Sequence, residues 1–157
     1  MSVTIQKERP DTADAMQLID ELETVLSAEY PPEDRHGYSV QKLIDQGVEF
    51  YVVRHNGQAA GCGGVQIYDD GNEPVYGEVK RMYVRPTFRG LGLAKTILNQ
   101  IETFTRSVGV TILRLETGTV QTEAIGLYTK VGFYPVEPFG EYVATVNNLF
   151  FEKRLDD

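Results

Sequence analysis

VRPTFRGLGLAKTILNQIETFTRSVG, residues 84–109, decides the fold of this chain. A valine, two arginines and a proline open it, and the closely spaced Gly90 and Gly92 follow. Apolar residues then recur at Ala94, Ile97, Leu98, Ile101, Phe104 and Val108, in steps of 3, 1, 3, 3 and 4. That spacing predicts one buried face of a helix. Gly109 stands where a left-handed cap ends such a helix. The flanking stretches VYGEVKRMYV (75–84) and VTILRLET (110–117) read as strands. Strand, helix and strand in that order form a βαβ unit, whose strands run parallel.

Working outward, SVTIQK (2–7) reads as a first strand. Asp11 or Thr12 caps a helix that carries Ala15, Met16, Ile19, Leu22, Val25 and Leu26, and Pro31-Pro32 stop it. A second helix runs from Val40 to Gln46 and ends at Gly47. VEFYVVRH (48–55) and AAGCGGVQIYD (59–69) flank His55-Asn56-Gly57-Gln58, a hairpin signature. Asp69-Asp70-Gly71-Asn72 reads as another turn. A shorter helix covers Thr122 to Val131 and ends at Gly132, a strand begins at Phe133-Tyr134, and Asn148 to Leu155 reads as the last strand. The expected fold is an α/β (α+β) mixed sheet, mostly antiparallel, with one parallel βαβ unit and helices packed on it.

At 157 residues, 41% apolar and 24% charged, the chain fits one globular domain spanning residues 1–157. No apolar run is long enough for a membrane span. The N-terminus lacks the apolar core of a secretory signal, and the lone Cys62 suits a reducing, cytoplasmic setting. A net charge of −8 argues against nucleic acid as a partner. His36 and His55 stand apart without metal-ligand spacing and read as surface or turn residues, so no metal is expected. Cys62, between two glycines in a strand, reads as a small packed residue rather than a nucleophile.

Against that acidic background, residues 79–101 hold five bases (Lys80, Arg81, Arg85, Arg89, Lys95) and no acid. Helix N-termini bind phosphates when the backbone can come close, and glycine permits that approach. The segment is neither a P-loop, because Ala94 precedes Lys95-Thr96, nor a dinucleotide fingerprint, because Lys95 takes the third glycine's place. The pattern that fits is Arg89-x-x-Gly92-x-Ala94 between a strand and a helix.

That pattern resembles the acyl-CoA-binding motif of the GCN5-related N-acetyltransferase (GNAT) family. EVKRMYVRPTFRGLGLA looks like the family's fourth strand and phosphate loop, and AIGLYTKVGF (124–133) resembles a later family segment in the expected order. The resemblance implies a GNAT-like acyl-CoA N-acyltransferase fold, with a splay at the parallel βαβ pair and helices on both faces, and acetyl-CoA as cosubstrate. Amides of Arg89, Gly90, Leu91, Gly92, Leu93 and Ala94 would cradle its pyrophosphate, with Arg85, Arg89 and Lys95 as phosphate neighbours. Backbone groups of Met82, Tyr83 and Val84 would bond its pantetheine arm like an added strand. Gln121 stands where many members carry a cofactor-contacting asparagine.

Acetyl transfer from a thioester to an amine needs a proton taken from the ammonium, a stabilised oxyanion and a protonated leaving thiol. Glu78, 11 residues before Arg89, sits at the offset of the catalytic glutamate in one branch of the family, and Glu116 is the alternative base. Tyr128 stands where the family places a tyrosine facing the sulfur. Tyr30 and the loop Glu137–Tyr142 would border the acceptor. The expected activity is acetylation of a small molecule's primary amine by direct attack in a ternary complex. A protein or peptide acceptor, and an acyl-CoA sensor without catalysis, are the alternatives. The resemblance leaves a homodimer open.

Overall fold

The structure, a computed structural model, describes residues 2–71 and 74–156. The expected turn at 69–72 therefore lies partly outside the described residues. The strands are β1 (Val3–Lys7), β2 (Glu49–His55), β3 (Gln58–Tyr68), β4 (Tyr76–Val84), β5 (Ile112–Gly118), β6 (Tyr134–Pro135) and β7 (Asn148–Arg154). The helices are α1 (Ala13–Glu29), α2 (Val40–Asp45), α3 (Leu93–Ser107) and α4 (Thr122–Lys130). The strands form one seven-stranded sheet in the order β1-β2-β3-β4-β5-β7-β6. Every neighbouring pair is antiparallel except β4–β5, which is parallel. This is the mixed sheet that the βαβ reading predicts.

Local chemistry sets the boundaries. Thr12 caps α1, its Oγ1 accepting the Ala15 amide at 3.3 Å, while Asp11, the other candidate, is held by Arg9. The helix ends where Tyr30 turns extended ahead of Pro31, as a residue before proline prefers. Asn56 and Gly57 both take positive φ, which matches the right-handed twist of the hairpin strands. β5 begins two residues later than its apolar run, because the Val110 amide closes the end of α3 on Thr105 C=O at 3.1 Å.

The pleat of the sheet divides the core. Ala15, Leu18, Ile19 and Leu22 of α1, with Leu43 of α2, cover Phe50, Val52, Cys62 and Tyr83 on one face. Met16, expected on that apolar stripe, is 47% exposed, and Leu18 takes the buried position instead. Ile97, Leu98 and Ile101 of α3, with Tyr128 of α4, cover Val53, Val65, Val79, Leu113 and Leu115 on the other.

Strands β4 and β5 touch only at Gly77–Leu113 and Glu78–Arg114, and then diverge. Residues 79–84 keep β3 on one side and pair with no strand on the other among the described residues. A register shift between Cys62 and Gly64, opposite Arg81 at φ 55°, bulges β4 at the same level. Bulges turn side chains to new directions and often flank functional sites.

Ile101 is fully buried at the centre of the α3 face. Ile101→Ala is expected to lower the unfolding free energy by about 2–5 kcal/mol, read as a lower urea midpoint at unchanged slope. A loss under 1 kcal/mol would show that this face is not the packed core.

Candidate active site

The divergence of β4 from β5 opens a cleft of about 1220 Å³ that passes between the strands. At one end it meets the α3 N-terminus (Arg89, Gly90, Gly92, Leu93, Ala94, Lys95), and its wall follows Glu78–Val84 of β4. At the other end it reaches Glu116, Tyr128, Tyr30, His36, Tyr38 and Tyr142.

The first helical hydrogen bond of α3 runs from the Thr96 amide to Gly92 C=O at 3.1 Å, so the amides of Leu93, Ala94 and Lys95 precede the helical ladder. Gly90 and Gly92 hold φ of 81° and 76°, which other residues resist, and a Cβ on either would face open space. The turn is therefore a concave row of amides at the positive end of a helix dipole, with no side chain on its two glycines. Of the five bases in the segment, three are neutralised from elsewhere. Lys80 pairs with Glu78 at 3.1 Å, Arg81 with Glu23 at 2.7 Å and Arg85 with Glu21 at 2.8 Å. Among the described residues no carboxylate pairs with Arg89 or Lys95, and these two border the cleft. Arg85, expected beside the phosphates, is instead a bidentate anchor for α1, and its Nη1 donates to Ala59 C=O at 2.9 Å. For Arg81 and Arg85 the acids come from α1.

At the far end two carboxylates share a buried surface. Glu78 is 3% exposed, and its Oε2 accepts from Tyr142 Oη at 2.6 Å while it pairs with Lys80. Lys80 Nζ lies 4.1 Å from the Tyr38 ring centre, a cation–π contact that completes its surroundings. Glu116 accepts from Asn148 Nδ2 at 3.3 Å, and the same Nδ2 is 3.2 Å from His36 Nε2. Burial pushes the Glu116 carboxyl up to about 7, against the lowering effect of Asn148, and the nearby charge of Glu78 adds to the rise. Burial, then the charge of Glu116, also raises the Tyr128 hydroxyl, which stays protonated at neutral pH. The two groups thus oppose each other as a carboxylate near neutrality and a retained proton.

Comparison with known proteins decides the family. The sequence profile of the Acetyltransferase (GNAT) family matches residues 15–133. The chain belongs to the GNAT acetyltransferase family. It is 42% identical over 154 residues, 98% of this chain and 99% of the relative, to a protein named IAA acetyltransferase from Azospirillum brasilense. It is 38% identical over 127 residues, 80% of this chain and 77% of the relative, to the uncharacterized N-acetyltransferase YedL of Escherichia coli K12. In fold it superposes with a TM-score of 0.73 at 20% identity on the PaiA N-acetyltransferase of Thermoplasma acidophilum, solved with coenzyme A, covering 98% of this chain and 99% of that one. This GNAT chain is an acetyl-CoA-dependent acetyltransferase.

Within the acetyltransferase cleft the expected residues have separate fates. Glu78, Glu116, Tyr128, Met82, Tyr83, Val84 and the 89–95 turn all border it, apart from Leu91, whose side chain is exposed. Gln121 borders it too, but its Oε1 accepts from Tyr30 Oη at 2.6 Å and its Nε2 donates to Glu29 at 3.2 Å. It ties the β5–α4 turn to the end of α1. Gly118 makes that tie possible, since a Cβ there would overlap the Tyr30 hydroxyl. Cys62 is fully buried, its thiol donates to Arg81 C=O at 3.3 Å, and burial pushes it up to about 12, so it is a packed residue. Of the expected acceptor loop, Tyr142 reaches the cleft while Phe139 packs in an aromatic cluster with Tyr76, Ile112 and Phe150.

His36 lies half-buried in the irregular segment after α1, where the surface-or-turn reading gave it no partner; it packs its ring edge-on against Tyr142, centres 5.2 Å apart, beside Asn148. Tyr38 and Asn148 also belong to the site without having been singled out, and Lys80, read only as one of the five bases, pairs with Glu78 there. The run Glu78-Val79-Lys80 carried the one usable signal, since a strand places both charges on the same face.

A carboxyl raised in the folded state costs stability above its folded pKa, and that cost fades as pH falls below the unfolded value. Glu116→Gln is therefore expected to gain stability relative to the parent as pH rises from about 4.5 to 7. Urea unfolding at a series of pH values checks this, and a constant difference would show that Glu116 titrates normally.

Proposed function

We propose that this acetyltransferase acetylates the primary amine of a small molecule by direct attack within a ternary complex. The observation that carries the small-molecule reading is the roof over the acceptor end. Asn147 Nδ2 donates to Asp34 at 2.6 Å, and His36 contacts both Tyr142 and Asn148. These bonds stitch the segment after α1 to the start of β7, which favours a compact acceptor over an extended peptide. The relative named IAA acetyltransferase, matched over nearly its whole length, agrees with a small acceptor. The buried, reduced Cys62 suits the cytoplasm.

The residues fit coenzyme A. The Gly90–Lys95 turn offers amides and an unopposed positive field for a diphosphate, and the unpaired edge of residues 79–84 offers strand-like hydrogen bonds to an amide-containing arm. Acetyl-CoA supplies a thioester whose carbonyl carbon receives the amine nitrogen as its carbon–sulfur bond breaks.

Glu116 takes the ammonium proton in this reading. Its carboxyl sits near neutrality, where a general base is most effective, whereas Oε2 of Glu78 is already shared between Tyr142 and Lys80. Glu78 stands as the charged neighbour that helps keep Glu116 basic. Tyr128 holds the proton that the leaving thiolate requires.

Thiol release against a panel of primary amines tests the function. Turnover of at least one is expected, and tight acetyl-CoA binding without any turnover would favour a sensor. Gly92→Glu is expected to abolish acetyl-CoA binding in calorimetry with the fold retained, and unchanged affinity would remove the turn from the site. Glu116→Gln is expected to cut kcat by roughly 10²–10⁴-fold near pH 7, with a smaller deficit at high pH, where free amine is abundant. If Glu78→Gln shows that pH-dependent deficit and Glu116→Gln does not, Glu78 is the base. Tyr128→Phe is expected to slow transfer with little change in cofactor affinity, and normal turnover would make it structural.

A further inference from the structure

The acceptor end has a second, basic corner that acid–base chemistry does not use. Arg35 and Arg81 close on a single carboxylate, Glu23. Arg35 Nη1 donates to Glu23 Oε1 at 3.3 Å, and Arg81 Nη2 donates to its Oε2 at 2.7 Å. Arg35 Nη1 also reaches Ser27 Oγ at 2.7 Å, and Arg81 Nε reaches Tyr38 C=O at 2.9 Å. One nitrogen of each guanidinium, Nε of Arg35 and Nη1 of Arg81, is buried with no acceptor among the described residues. Two cations thus share one anion, and each keeps a buried donor without a partner. Buried polar groups are ordinarily satisfied, so such donors call for an explanation.

Backbone geometry points the same way. Arg81 is a non-glycine residue at φ 55° in the β4 bulge, and its side chain is 5% exposed. Arginine resists that conformation, and strain of this kind collects at ligand sites. The bulge delivers the guanidinium to the face that carries Glu78 and Lys80, against Gly37, where a Cβ would overlap it. Both arginines border the cleft. The acceptor end is therefore bipolar, with Glu78 and Glu116 at one side and the Arg35–Arg81 corner at the other.

We propose that the acceptor amine also carries a carboxylate, and that the guanidinium corner of Arg35 and Arg81 docks it while the amine faces Glu116. Guanidinium groups bind carboxylates through paired donors in fixed geometry, so this corner selects amino acids over plain amines. The proposal rests on the small-molecule acetyltransferase reading and narrows its acceptor class.

The test measures binding without chemistry. Protein loaded with coenzyme A is titrated calorimetrically with matched probes that differ only in the carboxylate: phenylalanine and phenethylamine, tyrosine and tyramine, tryptophan and tryptamine, lysine and cadaverine, glutamate and 4-aminobutyrate. The expected result is a preference of tenfold or more for the member with the additional carboxylate in at least one pair. In Arg35→Gln that preference is expected to fall below threefold with coenzyme A affinity retained. Equal affinities in every pair, or no binding by any probe, overturn the proposal, as does a preference that survives in Arg35→Gln. Arg81→Gln is the second variant, and Arg35→Gln decides alone if Arg81→Gln does not fold. Thiol release separates the two levels. Turnover of the plain amines with no carboxylate preference leaves the acetyltransferase reading standing and sinks this one. Carboxylate-selective binding with no thiol release does the reverse.

Discussion

The structure depends on the parting of two parallel strands. β4 and β5 meet at two residue pairs, ending at Glu78–Arg114, and then separate. Buried backbone groups must find partners, and a strand edge left open inside a protein is costly unless something completes it. Here the opening is held from both sides. Arg81 and Arg85 of the β4 strand and its following turn anchor to Glu23 and Glu21 of α1, and the Tyr83 hydroxyl donates to Glu21 at 3.1 Å. On the opposite face, Ile97 and Leu98 of α3 pack under β3 and β4. The gap is thus a fixed feature of the packing, and the cleft follows from it.

Topology then places the chemistry. The crossover from β4 through α3 to β5 brings the α3 N-terminus to the end of β4, so its free amides lie at one mouth of the gap. Glu78 and Glu116 lie where the strands begin to part, and burial, with a smaller contribution from the charge of Glu78, lifts Glu116 toward neutrality. Tyr128 reaches the same space because α4 packs on the α3 side of the sheet. The amide turn, the two carboxylates and the Tyr128 hydroxyl are therefore ordered along one passage by the fold itself.

Much of this was legible from local pattern. The apolar spacing of residues 94–108, the Asn-Gly hairpin and the glycines at helix ends fixed the elements, because each rests on chemistry within a few residues. The splay needed more than periodicity, and came from the family resemblance carried by residues 78–94 and 124–133. What stayed hidden depends on long-range contacts. The basic run from Lys80 to Lys95 read as a single cationic surface, but Glu21 and Glu23, some sixty residues earlier, neutralise two of its three arginines. His36 read as a surface group because nothing near it in sequence marks its contact with Tyr142 and Asn148, over a hundred residues away. Gln121 stood at a cofactor position by resemblance, and nothing near it in sequence marked its bonds to Tyr30 and Glu29. Pairing partners, more than elements, were the missing information.

The central claim is that the parted strand and the following amide turn together receive coenzyme A. Backbone amide NMR of the labelled protein during titration with coenzyme A tests it most directly. The account predicts that the largest shift changes fall on Gly90–Lys95 and Met82–Val84, with the β1–β2 hairpin unmoved. Saturable binding that leaves those amides in place would contradict it.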